Sequence, residues 1–195
     1  MILWINGAFG SGKTQTANEL HRRLAHSFLY DPENVGYWLR KNEPKQMQKA
    51  NFQDEPLWRS VNRDMLLAIA RQFDGTVVVP MTLIDKGYYD EIIGALRREG
   101  VDVRHFILGA GEETIRKRLQ KRGEGKHSWA AAQIPACLAA LDSGDFENRI
   151  DTEALSVAQV AEEIANRVAL PLRPRKGRLR QAAQRVLTQL RAIHK

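Results

Sequence analysis

Eight residues near the start of the chain, Gly7-Ala8-Phe9-Gly10-Ser11-Gly12-Lys13-Thr14, have the types and spacing of a phosphate-binding loop. Glycines let successive backbone N–H groups turn inward on phosphate oxygens, where a side chain would block their approach. A helix beginning near Lys13 adds its positive dipole end. Lys13 is placed to reach the β- and γ-phosphates of a nucleoside triphosphate, and the Thr14 hydroxyl to ligate Mg²⁺. The loop follows an apolar run and opens a helical pattern, the setting this chemistry requires.

Further residues are candidates for phosphoryl transfer. Asp31 falls at the end of a second apolar run, a position beside the phosphate loop in an open parallel sheet. A carboxylate there suits a general base or a member of the Mg²⁺ shell, although Asp31-Pro32-Glu33-Asn34 is also good turn chemistry. Glu33 is the weaker candidate. The third strand ends in Pro80-Met81-Thr82, without a metal-directed aspartate, which places more weight on Asp31. Arg118 and Arg122 share a helix face just before Gly123 and Gly125, and guanidinium groups stabilise charge spread over phosphoryl oxygens. That helix reads either as a solvated face or as a hinged lid, and the glycines favour the lid. Trp58, Arg59 and Arg63 stand where an acceptor is usually enclosed, though an arginine there is equally a surface side chain with a buried stem.

These residues need a scaffold, and the hydrophobic pattern supplies one. Apolar runs at Ile2–Asn6, Ser27–Tyr30, Thr76–Val79, Val103–Leu108 and Phe146–Ile150 predict five strands. Helical spacing is predicted over Lys13–Ala25, Val35–Lys41, Leu57–Phe73, Tyr88–Glu99, Glu112–Arg122 and Val157–Val168. The stretch Trp129–Leu141 is expected to break or kink at Pro135. Alternating strands and helices imply a parallel sheet covered on both faces, an α/β fold. Pro171 and Pro174 mark a linker, so residues 1–170 read as the domain and residues 171–195 as an arm ending in a helix over Arg178–His194.

Composition narrows the function. The chain has 195 residues and a net charge of +7, but the charge is uneven. Residues 1–164 hold 21 Lys or Arg against 23 Asp or Glu, whereas the nine remaining bases face no carboxylate. A near-neutral body argues against nucleic acid as its partner. The single Cys137 excludes an internal disulfide. With no leader pattern and no apolar run of about 20 residues, the expected location is the cytoplasm. A GTPase would carry Asn-Lys-x-Asp after a strand; the fourth strand leads instead to Gly109-Ala110-Gly111. A small-molecule kinase fits best.

Beyond the loop, longer stretches carry a more specific likeness. Trp4–Ala17, Tyr30-Asp31-Pro32-Glu33, Pro56-Leu57-Trp58-Arg59, Val79-Pro80-Met81-Thr82, Glu91-Ile92-Ile93-Gly94, Glu124-Gly125-Lys126, Ser128-Trp129-Ala130-Ala131 and Leu170-Pro171-Leu172 resemble the tunicamycin resistance proteins over nearly the whole chain. The resemblance implies a three-layer P-loop kinase-like fold whose five strands run in the order 2-3-1-4-5. It also implies ATP binding and resistance to tunicamycin, a uridine-like nucleoside antibiotic bearing an acyl chain. Members of that family are viewed both as phosphotransferases and as ATP-dependent drug binders.

The expected activity is transfer of the γ-phosphoryl group of ATP to a hydroxyl of the drug. In it Lys13 and the loop hold ATP, Thr14 and Asp31 serve Mg²⁺ and the acceptor, and Arg118 and Arg122 stabilise the transferring group. The alternative is a non-catalytic protein that sequesters the drug. Leu179, Ala183, Val186, Leu187, Leu190 and Ile193 line one side of the last helix, with arginines off it. Such a helix either packs on its own domain or rests on an anionic membrane surface.

Overall fold

Alternation along the first strand decides how the layers form. In β1 (Ile2–Gly7) every residue is buried, with Ile2 and Trp4 in one apolar cluster and Leu3 and Ile5 in another. A strand apolar on both sides must be covered on both sides. The computed structural model describes residues 1–125, 128–144 and 146–175, and it shows a five-stranded, all-parallel sheet in the order 2-3-1-4-5. β1 lies between β3 (Thr76–Pro80) and β4 (Val103–Gly109), with β2 (Ser27–Leu29) and β5 (Arg149–Asp151) at the edges.

One face is covered by α1 (Lys13–Arg23) and α8 (Val157–Arg167), whose Ala17, Leu20, Ala161 and Ile164 are fully buried. The other carries α3 (Pro56–Gln72) and a continuous helical run made of α4 (Lys86–Tyr89), a π turn over Asp90–Gly94 and α5 (Ala95–Arg98). The wider turn buries the consecutive residues Ile92 and Ile93 together, which a regular helix does poorly. α2 (Glu33–Asn42) joins the acceptor side of the sheet to α3. A third cluster, at the carboxyl ends of the strands, joins Ala8 to Ile115 and Leu119 of α6 (Glu112–Gln120) and to Ile134 and Cys137 of α7 (Trp129–Asp142).

Three local expectations change. α7 runs unbroken through Pro135. Burial of Ala131, Ile134, Cys137 and Leu141 along one side, and a Ser128 cap on the Ala131 amide, hold the helix despite the missing N–H. β5 starts at Arg149 rather than Phe146, because Asn148 adopts a left-handed backbone (φ 59°) that ends any extended run before it. Residues 171–175 lie on the domain rather than off it: the Arg173 amide donates to the Arg23 carbonyl (2.8 Å), Arg23 Nε returns a bond to Arg173 (2.9 Å), and Arg175 pairs with Glu162. The helix expected over Arg178–His194 falls outside the described residues.

Trp58, read from sequence as an acceptor contact, belongs to the core. It is fully buried, and its indole N–H donates to the Pro32 carbonyl at 3.0 Å. Trp58→Ala is expected to cost about 3–5 kcal/mol by leaving a cavity, whereas Leu57→Ala beside it, more than half exposed, costs under about 1 kcal/mol. Urea unfolding of both variants checks this; equal midpoints would show that Trp58 is not enclosed.

Candidate active site: the phosphate loop and its surroundings

The loop begins where β1 ends, and its first residue is held from several directions. Gly7 N donates to Asn6 Oδ1 (2.8 Å), while Gly7 O accepts from Lys13 Nζ (2.9 Å) and from the Thr82 hydroxyl (2.9 Å). A Cβ on Gly7 would lie 2.5 Å from Ser11 Oγ and 2.7 Å from the Leu108 carbonyl, so only glycine fits there. Gly10 and Gly12 have φ of 86° and 99°, the left-handed turns that aim successive amides into one concavity. The space around Gly12 is clear within 4 Å. Beneath, Gly10 rests on Leu119 and Ile115 of α6, which ties the loop to that helix.

Lys13 folds back over its own loop. Nζ donates to the Gly7 and Ala8 carbonyls (2.9 and 3.0 Å) and stands 5.4 Å from the Phe9 ring centre. Burial pulls its pKa down to about 8; the Glu33 carboxylate opposes that shift, and the Arg122 guanidinium adds to it. The ammonium therefore senses both charges: Glu33 on the acceptor side and Arg122 at the end of the lid helix. Thr14 is exposed in the first turn of α1, ahead of the first helical bond, Thr16 N to Gly12 O (2.9 Å). The Ser11 hydroxyl is buried and makes no hydrogen bond within the described residues. Clear space over a left-handed glycine, an unsatisfied buried hydroxyl and a retracted lysine fit a polyphosphate ligand.

The other sequence candidates divide. Asp31 follows β2 as expected; its Oδ1 accepts from the Glu33 amide (3.1 Å) in a turn that starts α2. Glu33 accepts from the Tyr37 hydroxyl (3.3 Å), and its charge is the one that reaches Lys13. Glu33 thus stands closer to the chemistry than its sequence position suggested. The Arg122 charge acts on Lys13 by lowering its pKa, whereas the Arg118 guanidinium spans from α6 to the loop after β5, donating to Thr152 Oγ1 (3.1 Å) and Thr152 O (2.7 Å). Arg59 is also internal, bonded to Glu91 (2.6 Å) and the Gln53 carbonyl (2.6 Å) and stacked 4.2 Å above Tyr88. Arg63 is a surface residue of α3 paired with neighbouring Asp64.

Three contributors had little sequence signal. Thr82 fixes the loop's first carbonyl, and Asn6 fixes its first amide; only the polar residue closing an apolar strand hinted at Asn6. Trp129, at the start of α7, meets the Phe9 ring edge-on at 5.1 Å. Among the described residues no group of three or more His, Cys, Asp or Glu is placed to hold a metal ion.

A family model described as an AAA domain matches residues 2–142. The solved structure of the Deinococcus radiodurans tunicamycin resistance protein is 36% identical, with a TM-score of 0.78, over 89% of this chain and 98% of that one. The chain belongs to the tunicamycin resistance protein family. It is a nucleotide-binding member with a P-loop kinase-like fold. More distant structures share that fold: a sugar kinase from Janibacter sp. HTCC2649 (18% identity, TM-score 0.64, 87% of this chain and 94% of that one) and the Acinetobacter baumannii shikimate kinase with shikimate (15%, 0.58, 86% and 92%). The Mycobacterium tuberculosis APS kinase, solved with AMPPNP and APS, is 16% identical with a TM-score of 0.56 over 86% of this chain and 96% of that one. No curated protein sequence matches this chain.

The state of Lys13 makes this family member's nucleotide affinity depend on pH. Phosphate favours the ammonium and raises its pKa from about 8, so above pH 8 binding must take up a proton. AMPPNP affinity is expected to be flat below pH 8 and to weaken by up to about tenfold per unit above it. Calorimetry in buffers of different ionisation enthalpy should show proton uptake at alkaline pH; constant affinity through that range would refute the assignment.

Proposed function

We propose that this protein transfers the γ-phosphoryl group of ATP to a hydroxyl of a tunicamycin-like nucleoside antibiotic, and so confers resistance to it. The observation that carries the reading is the phosphate loop with Lys13 folded onto the Gly7 and Ala8 carbonyls, in a chain 36% identical to a tunicamycin resistance protein. Kinase-like neighbours supply the fold-level analogy.

Gly7 to Thr14 bind the phosphates, with Lys13 leaving its two carbonyls to reach them. Thr14 would hold Mg²⁺, with Asp31 reaching the ion only through one of the several waters it keeps. Bound there, the ion would neutralise charge building on the phosphates. Asp31, supported by Glu33, accepts the proton of the acceptor hydroxyl as its oxygen bonds to phosphorus and the bond to the departing diphosphate breaks. Arg122 stabilises the transferring group, and Arg118 orients α6 through Thr152. Water is excluded when the segment around Gly123 closes. The proposed site of action is the cytoplasm; no helix among the described residues is long and apolar enough to cross a membrane.

One feature favours sequestration instead. The end of β3 offers Pro80, Met81 and Thr82, and the Thr82 hydroxyl is already bonded to Gly7. Mass spectrometry of the drug after incubation with protein and Mg-ATP separates the readings. Phosphoryl transfer yields a species heavier by one phosphoryl group, whereas unchanged drug under conditions where both ligands bind supports sequestration. Asp31→Asn is expected to keep nucleotide affinity and lose turnover by on the order of 10²-fold or more. Loss of turnover in Glu33→Gln but not in Asp31→Asn would move the base to Glu33.

A further inference from the structure

The acceptor side of the molecule ends in a projection whose chemistry the phosphate site does not use. It comprises the second half of α2 and the turn after it, Pro44–Ala50. Two buried side-chain bonds at its base fix it to the strand ends: Gln53 Nε2 donates to the Thr82 carbonyl (2.8 Å), and Arg59 Nη1 to the Gln53 carbonyl (2.6 Å). α2 turns Gly36 and Leu39 inward, with Gly36 so close to Phe52 that a Cβ would lie 2.7 Å from its ring. At 100° per residue, Trp38 and Lys41 then point away from the body. The turn after α2 is folded back onto that helix, since Gln48 Nε2 donates to the Arg40 carbonyl (2.8 Å) and Arg40 to the Ala50 carbonyl (3.0 Å).

Two large apolar side chains stand on the outside of this projection, Trp38 (58% exposed) and Met47 (61% exposed). Around them are Lys41, Lys45 and Lys49, all exposed, and among the described residues none has a carboxylate within ion-pair distance. Residues 38–50 carry four bases and one acid, whereas the rest of residues 1–164 carries 17 bases against 22 acids. Scattered lysines or a lone exposed tryptophan would need no explanation. Here the apolar tips and unpaired ammonium groups coincide on one projection. An amphipathic ring at the headgroup level, with lysines reaching anionic phosphates beside it, is how a protein rests on an anionic bilayer.

We infer that this projection is a docking surface for an anionic lipid membrane: Trp38 and Met47 enter the interfacial layer, and Lys41, Lys45 and Lys49 engage the headgroups. The contact brings the acceptor side of the site, from Asp31 to Thr82, toward the bilayer. It is independent of the arm beyond Arg175 and of whether phosphoryl transfer occurs.

Full-length protein is mixed with vesicles of roughly seven parts phosphatidylcholine to three parts phosphatidylglycerol, or of phosphatidylcholine alone, and sedimented. Binding is expected to the anionic vesicles only, reduced at least about tenfold in the triple variant Lys41→Gln/Lys45→Gln/Lys49→Gln. With brominated acyl chains, wild-type tryptophan emission should be quenched; Trp38→Phe should lose that quenching, and Trp129→Phe should keep it. All five substitutions are at exposed positions, and an unchanged thermal unfolding midpoint confirms that each variant is folded. Equal binding by the triple variant, equal binding to neutral vesicles, quenching that survives Trp38→Phe, or no binding by the wild type would each overturn the inference.

Discussion

A carboxamide has two donor hydrogens and an oxygen with two acceptor positions, and in Asn6 both acceptor positions and one donor are used by the backbone of Gly7 and Leu83. Its oxygen takes the amides of Gly7 (2.8 Å) and Leu83 (2.9 Å); its nitrogen gives to the Leu83 carbonyl (2.6 Å) and meets His105 Nε2 at 3.1 Å. The residue is fully buried at the exit of β1, so this one side chain joins the start of the phosphate loop to the chain leaving β3 and to β4. His105 serves because it is neutral: burial, with Arg97 adding to it, pushes its pKa down to about 3. A shift of one residue in β1 would strand several buried polar groups at about 1–3 kcal/mol each. That penalty fixes where the loop begins, and the positions of Lys13 and Thr14 follow from it.

The loop is held from below as well. Ala8 and Gly10 pack on Ile115 and Leu119, so α6 cannot move without disturbing the phosphate site. The same packing carries Arg122 to where its charge reaches Lys13, while Arg118, one turn earlier, is spent on Thr152. Glu153 caps the start of α6, accepting from the Gly111 amide at 2.8 Å and from the Thr114 hydroxyl, bonds that lower its own pKa. α6 is thus fixed at its amino end.

On the opposite side, the acceptor lobe hangs on a few specific polar contacts: Trp58 to Pro32, Gln53 to Thr82, and Arg59 to Gln53 and Glu91. These explain why two residues suggested by sequence as substrate contacts, Trp58 and Arg59, face inward. Their polar atoms organise the lobe, and Trp38 and the lysines are presented outward. The proposed substrate recognition and the proposed surface docking would therefore use different faces of one element.

Residues close in sequence carried what could be read without a structure. The spacing Gly7–Gly12-Lys13-Thr14 after an apolar strand specifies phosphate binding, because backbone geometry and reach are local properties. Alternating strands and helices specified the layers, because burial on both faces demands apolar residues at both parities of β1. The helices expected over Leu57–Phe73 and Val157–Val168 begin within a residue of where their spacing placed them. Apart from the start of β5 and the pairing of Arg63 with Asp64, the failures were decided by neighbours distant in the chain. Pro135 is overruled by burial of its helix, Arg118 by a threonine 34 positions away, and Trp58 by the Pro32 carbonyl. The bond from Asn6 to Leu83 and the field of Glu33 at Lys13 have no sequence spacing to betray them. The sequence determined that phosphates bind and roughly where. Only the tertiary structure decided which charged side chains meet there, since long-range packing, not spacing, sets which of them are drawn together.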